Sequence, residues 1–158
     1  MNSAIKDLDT SELPIWRPRE DSENRKRSAL ALAKTIVSLK EELTPSHLKE
    51  FLSNTVWKYT ECDGKYTTRF RSRGAILTPK QKLNHEHVIT RKELVGLMIA
   101  EPKKCAEILE TAFGCTVLKS EHTIISSSEK QNPKLRGWER YVAASVQVYD
   151  LKLRVRVV

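Results

Sequence analysis

The sequence predicts an α+β fold: an N-terminal helical hairpin, a small antiparallel sheet, and a helical insertion between two of the strands. Three observations carry this expectation. Apolar residues recur at helical spacing from Leu30 to Leu52, two stretches alternate in side-chain chemistry, and a long helical stretch lies between short strand-like runs. A chain of 158 residues has the length of one domain and can bury a modest core.

Residues 1–23 hold six acids against Lys6, Arg17 and Arg19 and are interrupted by Pro14 and Pro18. This composition predicts a flexible acidic arm with a local anchor at Ile15 and Trp16, free to contact a protein partner. Residues 24–158 are then the single α+β domain. Leu30, Ala33, Ile36, Val37 and Leu39 mark an amphipathic helix that runs to Leu43. Thr44 and Pro45 supply an N-cap and a first-turn proline for a second helix carrying Leu48, Phe51 and Leu52.

Asp63-Gly64 separates Trp57-to-Cys62 from Lys65-to-Ser72, both rich in aromatic and threonine residues, which predicts a β-hairpin. Alternation in its second strand would align Lys65, Thr67, Arg69, Arg71 and Arg73 on one face. The C-terminus repeats the pattern, with Lys152, Arg154 and Arg156 set against Leu151, Leu153, Val155 and Val157. Between them, residues 91–113 are helical with a break near Pro102, and Gly114 is placed to end the helix. Cys115 to Leu118 forms a strand, Ser120 N-caps a short helix with His122, Ser126 to Pro133 is a polar loop, and Trp138 and Tyr141 begin a last helix.

Charge narrows the function. The chain carries a net charge of +8 at neutral pH, and residues 24–82 hold thirteen Lys and Arg against five acids. Such a surface attracts polyanions through phosphate contact and counterion release, so DNA or RNA is the expected partner. The two arginine-rich faces, Lys65, Arg69, Arg71 and Arg73 with Lys152, Arg154 and Arg156, are the expected nucleic-acid contacts, since the guanidinium fork suits phosphate oxygens. No segment has the roughly 18 to 20 apolar residues of a membrane helix, nor a secretory signal at the start, which predicts a cytoplasmic protein with no membrane partner. Cys62, Cys105 and Cys115 are far apart without a C-x-x-C pair, so neither a disulfide framework nor a thiolate zinc site is expected. A phosphate-binding glycine loop and a serine nucleophile elbow are both missing.

The histidines are where chemistry concentrates. If residues 83–89 are a strand, His85 and His87 share one face and Glu86 takes the other. One use is a zinc-type site with His85 and His87 as adjacent ligands and His122 as a third. Another is a strand that twists at Glu86-His87, so that the carboxylate binds a metal while the imidazole activates water. The plain alternative makes all three ordinary polar residues.

Glu86-His87-Val88-Ile89, followed by Cys115-Thr116-Val117-Leu118 and Lys119-Ser120-Glu121-His122, resembles the ββα-metal, or HNH-like, endonuclease motif over residues 83–126. The chain has Thr90 where that family has proline. The resemblance implies a ββα-metal-like site with a helical insertion, Glu86 and His122 as ligands of one divalent metal (Mg²⁺, Mn²⁺ or Zn²⁺), and His87 as general base. Arg91 lies close enough in sequence to hold the scissile phosphate. The function expected on this basis is a metal-dependent nuclease hydrolysing phosphodiester bonds in DNA or RNA. The competing expectation is a non-catalytic basic nucleic-acid-binding or regulatory protein, such as an inhibitor.

Overall fold

Residues 6–158 are described here from a computed structural model. Helix α1 (Ser22–Ser38) and helix α2 (Pro45–Thr60) form the expected hairpin. Thr44 caps α2, its hydroxyl accepting from the His47 amide at 3.2 Å, and Pro45 opens the helix where no amide donor is needed. Ala29, Ala33, Ile36 and Val37 of α1 meet Leu48, Leu52, Val56 and Tyr59 of α2 in one buried cluster. Each fully buried leucine there contributes about 1.5–3 kcal/mol.

That stripe also corrects the expected hairpin at Asp63-Gly64. Leu48, Leu52, Val56 and Tyr59 keep helical spacing straight through the aromatic run, so residues 57–60 are the last turn of α2 instead of a strand. Gly64 does turn the chain, at φ +100°, but the regular strand that follows is only β1 (Phe70–Ser72). Lys65 and Thr67 precede it in a loop, and Arg73 begins the short helix α3 (Arg73–Leu77). The predicted row of cations is therefore dispersed. Arg69 is bidentate on Asp150, with Nε 2.8 Å from Oδ1, and Arg71 is half-buried.

The other strands are β2 (Leu83–His87), β3 (Gly114–Leu118), β4 (Val148–Asp150) and β5 (Val155–Arg156), in spatial order β2-β3-β1-β4-β5. Pairing is antiparallel except between β1 and β3. The second basic row is also broken up: residues 151–154 make a turn, Arg154 takes a left-handed backbone at φ 57°, and only Val155 and Arg156 are strand. Helices α4 (Arg91–Ala100) and α5 (Cys105–Glu110) lie between β2 and β3 and join the α1/α2 cluster through Leu94, Met98 and Leu109. Gly114 is the first residue of β3, not a helix cap.

Helix α6 (Lys119–Gln131) follows β3 without a loop and takes in most of the stretch expected to be a polar loop. It starts after Leu118, whose amide donates to Glu121 at 2.8 Å; Ser120 lies inside the helix and does not cap it. With α7 (Glu139–Ala143) it covers the second sheet face, where Cys115, Val117, Ile125, Tyr141 and Val148 are buried. Cys62, Cys105 and Cys115 are free and buried. Among the described residues no helix is long and apolar enough to cross a membrane.

The described part of the acidic N-terminal segment is not a free arm. Leu8 and Leu13 pack on Tyr149 and Leu151, Trp16 Nε1 donates to the Thr67 carbonyl at 3.1 Å, and Asp7 pairs with Arg156. Arg154 donates to the Thr10 carbonyl. Polar composition pointed to an arm, yet two leucines spaced to straddle a short 3₁₀ turn suffice to dock it. Leu13 is 3 % exposed, so Leu13→Ala should cost about 2–4 kcal/mol in urea unfolding. An unchanged unfolding midpoint would mean the segment contributes nothing to the fold.

Candidate functional site

Strand β2 pairs with β3 residue for residue, from Leu83 opposite Leu118 to His87 opposite Gly114. Regular pairing fixes side-chain alternation, and Glu86 therefore faces away from its two neighbours. The twist that would bring Glu86 and His87 to one point is absent. Two separate clusters result.

On the Glu86 side, the carboxylate meets His122 Nδ1 through Oε2 and Arg140 Nη2 through Oε1, at 2.9 Å for the latter. Two independent facts bring His122 there: α6 starts directly at the end of β3, and β3 lies beside β2. Arg140 is 3 % exposed and ties the corner together, donating also to Glu129 at 3.0 Å and to the His87 and Val88 carbonyls at 2.8 and 3.2 Å. Burial opposes its charge, but Glu86 and Glu129 more than offset that and raise its pKa. The His122 side chain is 41 % exposed, so its ring is anchored on one nitrogen and open to solvent. Glu129 and Ser126, the latter one helical turn beyond His122, line an open groove of about 770 Å³ with Thr90, Lys92 and Arg136.

The opposite side holds His85 and His87, both buried, with Trp57 and Thr60 of α2. Their hydrogen bonds assign the tautomers. The Lys65 carbonyl, 2.8 Å from His85 Nδ1, can only accept, so Nδ1 carries the proton and Nε2 accepts from the Thr60 hydroxyl at 3.0 Å. Thr60 Oγ1 in turn accepts from His87 Nε2 at 3.1 Å, which leaves His87 Nδ1 with its lone pair. The Trp57 carbonyl, 3.2 Å away, competes for the one hydroxyl proton. Gly114 makes room for this arrangement: a Cβ there would sit 2.5 Å from His85 Cε1.

Burial above all, with His85, Arg91 and Arg140 nearby, pushes the His87 pKa down to about 3. Burial lowers His85 as well. A base of such low proton affinity is poorly matched to abstracting a proton near neutral pH. Arg91 lies on this side too, its guanidinium carbon 5.0 Å from the Trp57 ring centroid.

Of the site residues expected from sequence, the structure thus joins Glu86 to His122 and joins His85, His87 and Arg91 to one another, but separates the two groups across the strand. The donor set around Glu86 does not fit a resident divalent ion. Both carboxylate oxygens are engaged, one by a buried guanidinium whose fixed charge would repel a cation, and no group of three metal-ligating side chains occurs among the described residues. Arg140 escaped sequence reasoning. The one available hint was an arginine directly before the largely apolar run Tyr141-Val142-Ala143-Ala144. Comparison with protein-family models, curated proteins and solved structures gave no match.

The depressed histidines set a pH dependence. Unfolded, His87 would bind a proton near pH 6.5, while in the fold it does so only near pH 3. Below pH 6.5 the unfolded chain therefore binds more protons, so stability is complete above that value and is lost on acidification toward pH 3, by at most about 1.4 kcal/mol per pH unit for each such ring. Between about pH 6.5 and 5, above most carboxylate titrations, wild type should lose about 1.5 kcal/mol or more in urea unfolding, and His87→Gln distinctly less. Equal losses would show that His87 is not held neutral.

Proposed function

We propose that this chain hydrolyses phosphodiester bonds in nucleic acid with His122, oriented by Glu86, as the proton-transfer group. The observation that carries the reading is the Glu86–His122 contact. A carboxylate that fixes Nδ1 of a histidine turns its Nε2 toward solvent in one tautomer and stabilises the imidazolium formed when that nitrogen takes a proton. Arg140 holds the carboxylate in place from its other oxygen. In the proposed step a water gives its proton to His122 Nε2 and forms a bond to phosphorus. The leaving oxygen departs with its bonding pair and recovers the proton from the imidazolium.

The strand–strand–helix order around Glu86 and His122, the neighbouring groove and the net charge of +8 support a polyanionic substrate. His87 is assigned a packing part here, against the sequence expectation, because it lies on the other face and is held neutral. The non-catalytic alternative uses the same basic chain without turnover.

A panel of single- and double-stranded DNA and RNA, incubated with Mg²⁺ or Mn²⁺ and in parallel with EDTA, decides between these. Cleavage should survive EDTA, fall by about 10²–10⁴ with His122→Ala, and fall less than about tenfold with His87→Gln. Activity kept by His122→Ala and lost with His87→Gln would sink the assignment; retention of nucleic acid without cleavage by any sample would favour the binding protein.

A further inference from the structure

Around Trp57, on the face of β2 turned away from His122, two cations have no carboxylate. Lys65 Nζ lies 5.6 Å from the Trp57 ring centroid and 5.3 Å from that of Tyr66, while the Arg91 guanidinium carbon lies 5.0 Å from Trp57. Neither cation has an ion-pair partner among the described residues, whereas Lys58, Arg69 and Arg156 each have one. The carboxylate best placed to neutralise the group is already committed: Glu61 accepts from Trp57 Nε1 at 2.6 Å and from Lys58 Nζ at 2.9 Å. Stacking on an aromatic face holds a cation in position without cancelling its charge.

Helix α4 adds to the positive potential. Thr90 caps it through the Glu93 amide at 3.2 Å, and Arg91 and Lys92 open its first turn ahead of Glu93, which pairs with Arg136 at 3.5 Å; the helix dipole there favours anions and disfavours cations. Two cations at the wrong end of a helix are a local cost that a bound phosphate would relieve. Tyr66 is 40 % exposed beside Lys65, an aromatic face within reach of a base whose phosphate rests on that lysine.

The geometry points to a single-stranded nucleic-acid binding site in which Lys65 and Arg91 take backbone phosphates and Tyr66 stacks on an unpaired base. An exposed ring beside stacked cations favours a nucleotide chain over an acidic peptide, and only an unpaired base can offer its face to that ring. The site stands apart from the proposed His122 centre, since it lies across the strand and is scored by binding alone.

The test is fluorescence anisotropy with a labelled oligothymidylate of about 12 nucleotides and the matching duplex, with His122→Ala as the reference protein and the background of every variant below, so that cleavage, which should survive EDTA, does not enter. The reference protein should prefer the single strand. Reversing both cations (Lys65→Glu with Arg91→Glu) should weaken binding at least about tenfold and reduce the slope of log affinity against log salt by about 1.4, two phosphates at about 0.7 each. Tyr66→Ala should cost about five- to a hundredfold on the single strand and little on the duplex. The same charge change at Lys34 and Lys49, exposed on α1 and α2, should have less than about a threefold effect. Circular dichroism checks folding, and Lys65→Gln with Arg91→Gln replaces the reversal if that variant does not fold. Equal losses from reversal of Lys65 with Arg91 and of Lys34 with Lys49, no binding by the reference protein, or preference for duplex would each overturn the site.

Discussion

Unbroken pairing between β2 and β3 is the constraint on which the rest of this molecule turns. Five consecutive residues of β2 have partners in β3, so none of them can rotate, and adjacent side chains leave the sheet on opposite faces. Glu86 goes to the face covered by α6 and α7, while His85 and His87 go to the end of α2. The register is held from outside as well. Arg140 binds the carbonyls of His87 and Val88 just where the strand ends, and Gly114, opposite His87, leaves the volume that the His85 ring occupies. Slipping the register by one residue would put a carboxylate against Trp57 and two imidazoles against Cys115 and Arg140.

The two faces solve the burial of polar groups differently. Beside α2, the histidines stay uncharged, and a chain of hydrogen bonds from the Lys65 carbonyl through His85 and Thr60 to His87 engages three of their four ring nitrogens. Beside α6 and α7, charge is retained and compensated, with Arg140 shared between Glu86 and Glu129. Removing one member of such a buried set typically costs about 3–5 kcal/mol, because the remaining charge is left without a partner. The first arrangement makes inert imidazoles. The second positions one imidazole, that of His122, with a nitrogen directed away from its anchor.

Parts of this were legible in the chain. The α1/α2 hairpin was, because period, cap and proline agree at Thr44-Pro45. The meeting of Glu86 and His122 was legible only through the motif these residues resemble, and there it included His87, which strand alternation puts on the other face. Trp57 to Thr60 misled because aromatic and threonine residues favour strands locally, while burial along Leu48, Leu52, Val56 and Tyr59 sustained the helix. The arginine rows misled because alternation was extended beyond the three residues of β1, and because Arg69 found Asp150, 81 residues away. Arg140 was out of reach for the same reason: its partner Glu86 lies 54 residues earlier. Long-range pairing decides which charges are free, and no local pattern records it.

Imidazole ¹⁵N spectra give the most direct test of the division imposed by β2. In the folded protein at neutral pH, His85 should carry its proton on Nδ1 and His87 on Nε2, with His87 staying neutral as the pH falls toward 5, and His122 should have its Nδ1 proton in a hydrogen bond that disappears in Glu86→Ala. A His87 ring that takes up a proton between pH 7 and 5, or that carries its neutral proton on Nδ1, would contradict it.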